Sequence, residues 1–258
     1  MSKKLGLGCV EFAVPGRTIE ERLGLLESRG MWLELVNDGN RNLEHVLTAI
    51  ANFKTPVLSV QANRLHSLKL LSDDRGEREA AVNHVKETMG WAAATGAKNV
   101  VTTLTYGDPS AKEPYPLALE LFREFGRWAE ELDITVSIEP LGKNRTSFLP
   151  GVSDVFRLVS ELGLENVRLM VDTMHIHDNG DDVVGVVTTY LDEISELQLR
   201  DTDSKPPGLG GIDFSGLMKT VVKKFRGLLC LEYKPGSNPY ADFNHACDFV
   251  AGLISAVR

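Results

Sequence analysis

Eight short apolar runs, each followed by a longer stretch of helical spacing, set the tightest limit on what this chain can fold into. The runs cover residues 5–12, 31–36, 56–61, 99–104, 135–139, 167–172, 196–200 and 228–233. Most are almost continuously apolar, as strands of a parallel sheet are when both faces are covered. Between them, apolar residues recur at the spacing of one helix face. Ile19, Leu23 and Leu26 form one stripe, and Val82, Val85, Met89 and Ala92 another. Leu121, Phe125, Trp128 and Leu132 form a third, and Phe243, Cys247, Val250 and Ile254 close the chain. Eight strand-helix units in 258 residues match a (β/α)8 barrel. The competing open, doubly wound sheet would place a glycine-rich phosphate turn after the first strand. The sequence there reads Glu11-Phe12-Ala13-Val14-Pro15-Gly16 and offers none. No linker divides the chain, so one domain spanning residues 1–258 is expected.

The longest irregular stretches are residues 61–78, 105–116, 140–152 and 202–213. Each follows a strand and precedes a helix, which in a barrel places it at the C-terminal face where active sites form. A net charge of −8 disfavours nucleic acid or an anionic membrane as the main partner. No apolar run reaches the roughly 18 residues of a membrane span, and residues 1–4 begin no secretory signal. Cys9, Cys230 and Cys247 are odd in number and widely spaced, which suits a reducing cytoplasm and gives no zinc motif.

Polar residues end the apolar strands in an unusual series. The fifth strand ends in Glu139, the sixth in Asp172 and the eighth run carries Glu232, while the seventh carries Gln198 among leucines. One such carboxylate often serves as a helix cap or a surface ion pair. Three converging on a barrel mouth repel and are costly to bury unless a cation joins them. Carboxylate and carboxamide oxygens are hard donors, suited to one Mg or Mn ion, with Co or Zn as further options. His175, three residues after Asp172, is a candidate for contacting a substrate, and His177 reads as incidental. The run Asp178-Asn179-Gly180-Asp181-Asp182 lacks calcium-loop spacing and reads as a turn followed by a helix cap.

The segments Ser137-Ile138-Glu139-Pro140-Leu141, Met170-Val171-Asp172-Thr173-Met174-His175 and Cys230-Leu231-Glu232 resemble the xylose isomerase-like barrel superfamily. So do the opening Pro15-Gly16-Arg17-Thr18-Ile19-Glu20-Glu21-Arg22 with Gly30-Met31-Trp32-Leu33-Glu34-Leu35 and the loop Pro207-Gly208-Leu209-Gly210-Gly211-Ile212-Asp213-Phe214. The resemblance implies that Glu139, Asp172 and Glu232 bind a divalent metal and that His175 is the family's histidine near the aspartate. The fourth ligand, commonly histidine in that group, falls on Gln198, as in its hydroxypyruvate isomerase-like members. An arginine that many epimerases carry six residues further on corresponds to Ser204, with Lys205 beside it. The superfamily's endonucleases use further histidines that the third and fourth strand ends lack, so DNA repair is the least favoured reading.

These residues suit proton transfer beside a carbonyl, through an enediolate, in a small keto sugar or hydroxy-keto acid. Glu139 and Glu232, from non-adjacent strands, are the candidate acid and base. Isomerisation or epimerisation leads. A dehydratase of the same superfamily and a non-catalytic metal-binding barrel remain alternatives. Lys143, Arg145, Arg200, Lys205 and Lys234 surround the expected mouth and would suit an anionic substrate if they point inward. Glu34 is a candidate contact for a substrate hydroxyl. The expected partner is a small molecule, with a homo-oligomer possible.

Overall fold

The computed structural model describes residues 5–257; the charged start at residues 1–4 lies outside the described residues. The strands are β1 (Leu7–Val10), β2 (Trp32–Asn37), β3 (Val57–Ala62), β4 (Asn99–Thr103), β5 (Thr135–Glu139), β6 (Val167–Asp172), β7 (Ile194–Leu199) and β8 (Leu228–Leu231). All pair in parallel and in chain order, and β8 returns to β1 to close the barrel. Closure leaves the sheet no free edge.

Helices α1 (Ile19–Arg29), α2 (Leu43–Ile50), α3 (Arg75–Thr95), α4 (Pro114–Glu131) and α5 (Val152–Leu162) follow the first five strands. Two short helices, α6 (Thr173–Asn179) and α7 (Val183–Thr189), follow β6. Then come α8 (Phe214–Lys224) and α9 (Pro239–Val257). Three of the four expected stripes are buried wholly or in large part. On α4, Leu121 and Phe125 of the expected stripe are buried, joined by Ala118, Phe122 and Ala129, while Trp128 is half-buried and Leu132 lies exposed beyond the helix. Asp178 and Asn179 end α6, Gly180 turns the chain, and Asp182 caps α7 by accepting from the Val184 amide, so the cap expected of the acidic run is present while its start is helical.

The strand limits differ from the sequence expectation where a polar residue must turn. β1 stops at Val10 because Glu11 starts a short 3-10 segment. The Glu11 carboxylate is buried between Arg22 (3.0 Å) and Arg41 (2.6 Å) and accepts from the Val36 amide at 3.1 Å. β7 begins two residues earlier than expected and β8 ends one residue before Glu232. Strand alternation sends every second side chain into the barrel. Along β7 and the residue after it, Glu196, Gln198 and Arg200 form one column, while Leu197 and Leu199 join the apolar core. The barrel interior is therefore polar down this side.

Candidate active site

The upper layer of the interior collects residues from β5 through β8. Glu139 ends β5, Asp172 ends β6, Arg200 follows β7 and Glu232 follows β8; all are at least nine-tenths buried. Asp172 divides its work. Its Oδ1 caps α6, accepting from the amides of Met174 at 2.7 Å and His175 at 3.4 Å. Its Oδ2 contacts the Arg200 guanidinium without a well-directed hydrogen bond. One oxygen thus serves as the helix cap and the other faces the Arg200 guanidinium. That cap also starts the short helix that carries His175 over the barrel.

Arg200 holds the layer together. Its Nη1 pairs with Glu232 Oε1 at 2.9 Å, and its Nη2 donates to His175 Nε2 at 3.1 Å. His175 Nε2 also lies 3.5 Å from Glu139 Oε1. Burial, and secondarily Arg200 and Arg145, lower the His175 pKa to about 3, so the ring is neutral. Nε2 accepts from arginine, which places the ring proton on Nδ1. Burial raises the Glu139 pKa well above the usual carboxylate range, and the charges of Glu232 and Asp172 add to it. Burial raises that of Glu232 to about 7 against the opposing pull of Arg200. Burial by itself would lower the pKa of Arg200, but Asp172, Glu232 and Glu139 more than reverse this and keep it charged.

These groups open into a cavity of about 280 Å³. Glu139, His175, Arg200, Glu232 and Arg145 face it, with Tyr106, Phe12, Gln61, Thr103 and His66 on its walls. Asp172 does not reach the cavity, because Arg200 lies over it. Arg145 is aimed inward by its stacking on Tyr106 (5.3 Å to the ring centroid) and its bond to the Tyr106 hydroxyl.

One layer down, Gln198 donates from Nε2 to both oxygens of Glu34, at 2.9 and 3.1 Å. Its Oε1 is left buried with no partner. Cys230 Sγ lies 3.2 Å from Glu34, and Glu196 accepts from Asn99 at 2.8 Å. Burial raises the pKa of both Glu34 and Glu196. Two carboxylates in one dry layer hold a proton more readily than either would alone.

Several expected residues therefore sit elsewhere. Glu34 lies mid-strand rather than at a strand end; fully buried on Gln198, it does not reach the cavity and so is not placed to touch a substrate hydroxyl. Lys143 and Lys205 do not line the cavity. Lys143 is exposed beside Gly180, and Lys205 pairs with Asp203 at 3.0 Å. Lys234 is exposed as well. Of the five basic candidates, Arg145 and Arg200 point inward. Asp201 was not anticipated. Its buried carboxylate accepts from the amides of Gly208 (2.9 Å), Gly210 (2.9 Å) and Ile212 (3.1 Å), which ties down the loop between β7 and α8. A Cβ at Gly210 would sit 2.3 Å from that carboxylate, so this loop needs glycine there. Glu196 and Asn99 also escaped the sequence reading. The alternation Glu196-Leu197-Gln198-Leu199-Arg200 was the signal that could have found the column.

The oxygen set can be tested for a divalent cation from its unpaired atoms. Glu232 Oε2 and Gln198 Oε1 are buried without a hydrogen-bond partner, and Asp172 Oδ2 has only its ionic contact with Arg200. Glu139, Asp172 and His175 also bring one ligand atom each within 4.8 Å of one another. Buried acceptors of this kind are ordinarily satisfied, and hard oxygen donors without a hydrogen-bond partner fit a hard cation.

The family model for the xylose isomerase-like TIM barrel matches residues 2–252. The chain belongs to that family. Within it, the chain is related to sugar isomerases and epimerases. It is 30% identical over 142 residues to a putative hydroxypyruvate isomerase of Streptomyces coelicolor, covering 52% of this chain and 50% of that protein. It is 25% identical over 166 residues to the hydroxypyruvate isomerase of Escherichia coli, covering 62% and 64%. The chain thus matches between half and two thirds of the length of these relatives. Among solved structures, the apo 3-keto-D-glucoside 4-epimerase of E. coli superposes with a TM-score of 0.83 at 19% identity, covering 98% of this chain and 100% of that one. At that identity the likeness speaks for the barrel fold alone.

Proposed function

We propose that the barrel mouth is the active site of an isomerase or epimerase acting on a small keto sugar or hydroxy-keto acid. The observation that carries this is the pair Glu139 and Glu232. They reach one small cavity from β5 and from the end of β8, both buried, with Glu232 paired to Arg200 and Glu139 3.5 Å from His175 Nε2. Kinship with proteins named hydroxypyruvate isomerase supports the hydroxy-keto class of substrate.

In this reading one glutamate takes a proton from the carbon next to a carbonyl, and the other returns it. Return to the same carbon on the opposite face inverts it, and return to the neighbouring carbon moves the carbonyl. Neutral His175 borders the cavity, with Nε2 held between Arg200 and Glu139. Arg145 faces the cavity from its seat on Tyr106 and receives an anionic or hydroxyl end. Glu139, Asp172, Glu232 and the free Oε1 of Gln198 would hold a divalent cation, Mg or Mn being best suited to these donors. Such a cation polarises a carbonyl and so makes the adjoining C–H more acidic. Three free, buried cysteines are compatible with a cytoplasmic setting.

The test is proton exchange with solvent. Metal-supplemented protein is incubated in D2O with hydroxypyruvate and with a panel of ketoses, and recovered substrate and product are read by NMR and mass spectrometry. Deuterium should enter at the carbon next to the carbonyl. Glu139→Gln and Glu232→Gln should each slow that entry about 10²–10⁴-fold. Full exchange in both variants, or none in the parent with any compound, would remove this function. A new conjugated absorbance in the ultraviolet would mean elimination instead.

A further inference from the structure

The Arg200 guanidinium sits among the very carboxylates that the proposed function gives to a divalent cation. It contacts Asp172, pairs with Glu232 at 2.9 Å and covers Asp172 from the cavity. We propose that Arg200 is a resident cation of this layer, competing with the divalent cation for Asp172 and Glu232, so that metal loading drives the guanidinium toward the cavity. The inference rests on the metal reading given above.

Charge explains why such a residue is needed. Glu139, Asp172 and Glu232 are all at least nine-tenths buried, and three ionised carboxylates in one dry layer would repel strongly. One guanidinium leaves two negative charges, which a divalent cation balances. The metal-free layer therefore stays partly neutralised by Arg200, and the full set becomes neutral when both cations are present. The two cannot both hold Asp172 Oδ2, so the guanidinium must give way there.

The geometry says which part moves. The Arg200 backbone is pinned: its amide donates to Thr173 Oγ1 at 2.9 Å, and that hydroxyl donates back to the Arg200 carbonyl at 2.7 Å. Displacement must come from side-chain torsions. The side chain already borders the cavity, its Nε is buried with no partner, and its bond to neutral His175 is weak compared with a charged pair. A guanidinium released from Asp172 thus has unspent donors and adjoining space. It would arrive on the cavity side that Arg145 also faces, which gives the loaded site two planar donors for an anionic substrate group.

The test is direct metal affinity, independent of turnover. Mn2+ is titrated calorimetrically into chelator-stripped parent, Arg200→Met and Arg200→Lys proteins. Removal of a like charge in contact with the ligands should tighten Mn2+ binding by about tenfold or more in Arg200→Met. Arg200→Lys should lie nearer the parent. Equal or weaker binding by Arg200→Met, where the parent does bind, overturns the competition and leaves the metal reading intact. Absence of binding in parent and variants removes both. Should Arg200→Met fail to fold, the parent gives the answer alone. The Arg200 Nε–H NMR signal, assigned by its loss in Arg200→Lys, should shift when diamagnetic Mg2+ is added, and an unchanged signal under saturating Mg2+ overturns the proposal.

Discussion

Gly8 faces Trp32 across the β1–β2 pairing, and a Cβ there would fall 2.2 Å from the indole ring. The tryptophan fills the floor of the barrel because its neighbour has no side chain. Gly8→Ala should cost about 3 kcal/mol by overpacking, read as a lower denaturation midpoint. Trp32→Leu should recover part of that loss in the double variant. Asp172 illustrates the same economy at the top of the barrel, where one oxygen starts a helix and the other faces Arg200. The cap and the strand-end position were both legible in the sequence. The pairing with Arg200 was not, because it depends on where β7 sits relative to β6.

Elements decide which of these side chains can meet. β7 sets a column of three polar side chains inward because strand alternation leaves Leu197 and Leu199 for the helices. The loop after it is ordered by Asp201, a residue whose only sequence signal was its position beyond the strand. On α3, His84 is buried, and its Nε2 accepts from the Arg64 amide at 3.3 Å. Burial first, and Arg64 second, lower its pKa from 6.5 to about 4. The folded ring therefore stays neutral where the unfolded chain already takes up a proton. This contribution to stability is complete above about pH 6.5 and is lost progressively as pH falls toward about 4. Guanidinium unfolding at pH 7, 6 and 5 should show the parent weakening more steeply than His84→Gln. Equal slopes would remove His84 as the cause.

At the scale of the whole molecule, closure of the barrel brings β8 back against β1 and crowds carboxylates from β2, β5, β6, β7 and the end of β8 into one interior. The two stacked polar layers are what the fold must neutralise. A divalent cation that binds only the folded state stabilises it by about 2.7 kcal/mol at a hundredfold excess over its Kd. For a chain of this size that corresponds to a rise in Tm of roughly 5–10 °C. Differential scanning calorimetry of chelator-stripped protein with and without Mn2+ should record it, and Glu232→Gln should record less. No described helix is long and apolar enough to cross a membrane.

The sequence by itself determined the eight strand-helix units, their order and the polar residues at the ends of the fifth, sixth and eighth strands. These are local properties, written in alternation, helical spacing and the polar punctuation of apolar runs. Tertiary structure decided which charges share a layer. Register lowered Glu34 beneath the cavity and set Gln198 against that carboxylate in the lower layer. It also set Arg200 between Asp172 and Glu232 while leaving Lys143 and Lys205 in solvent. Those outcomes depend on barrel stagger and on distances between strands far apart in sequence, and burial then makes the partners matter, because a charge with no water around it must find its counterpart in the fold.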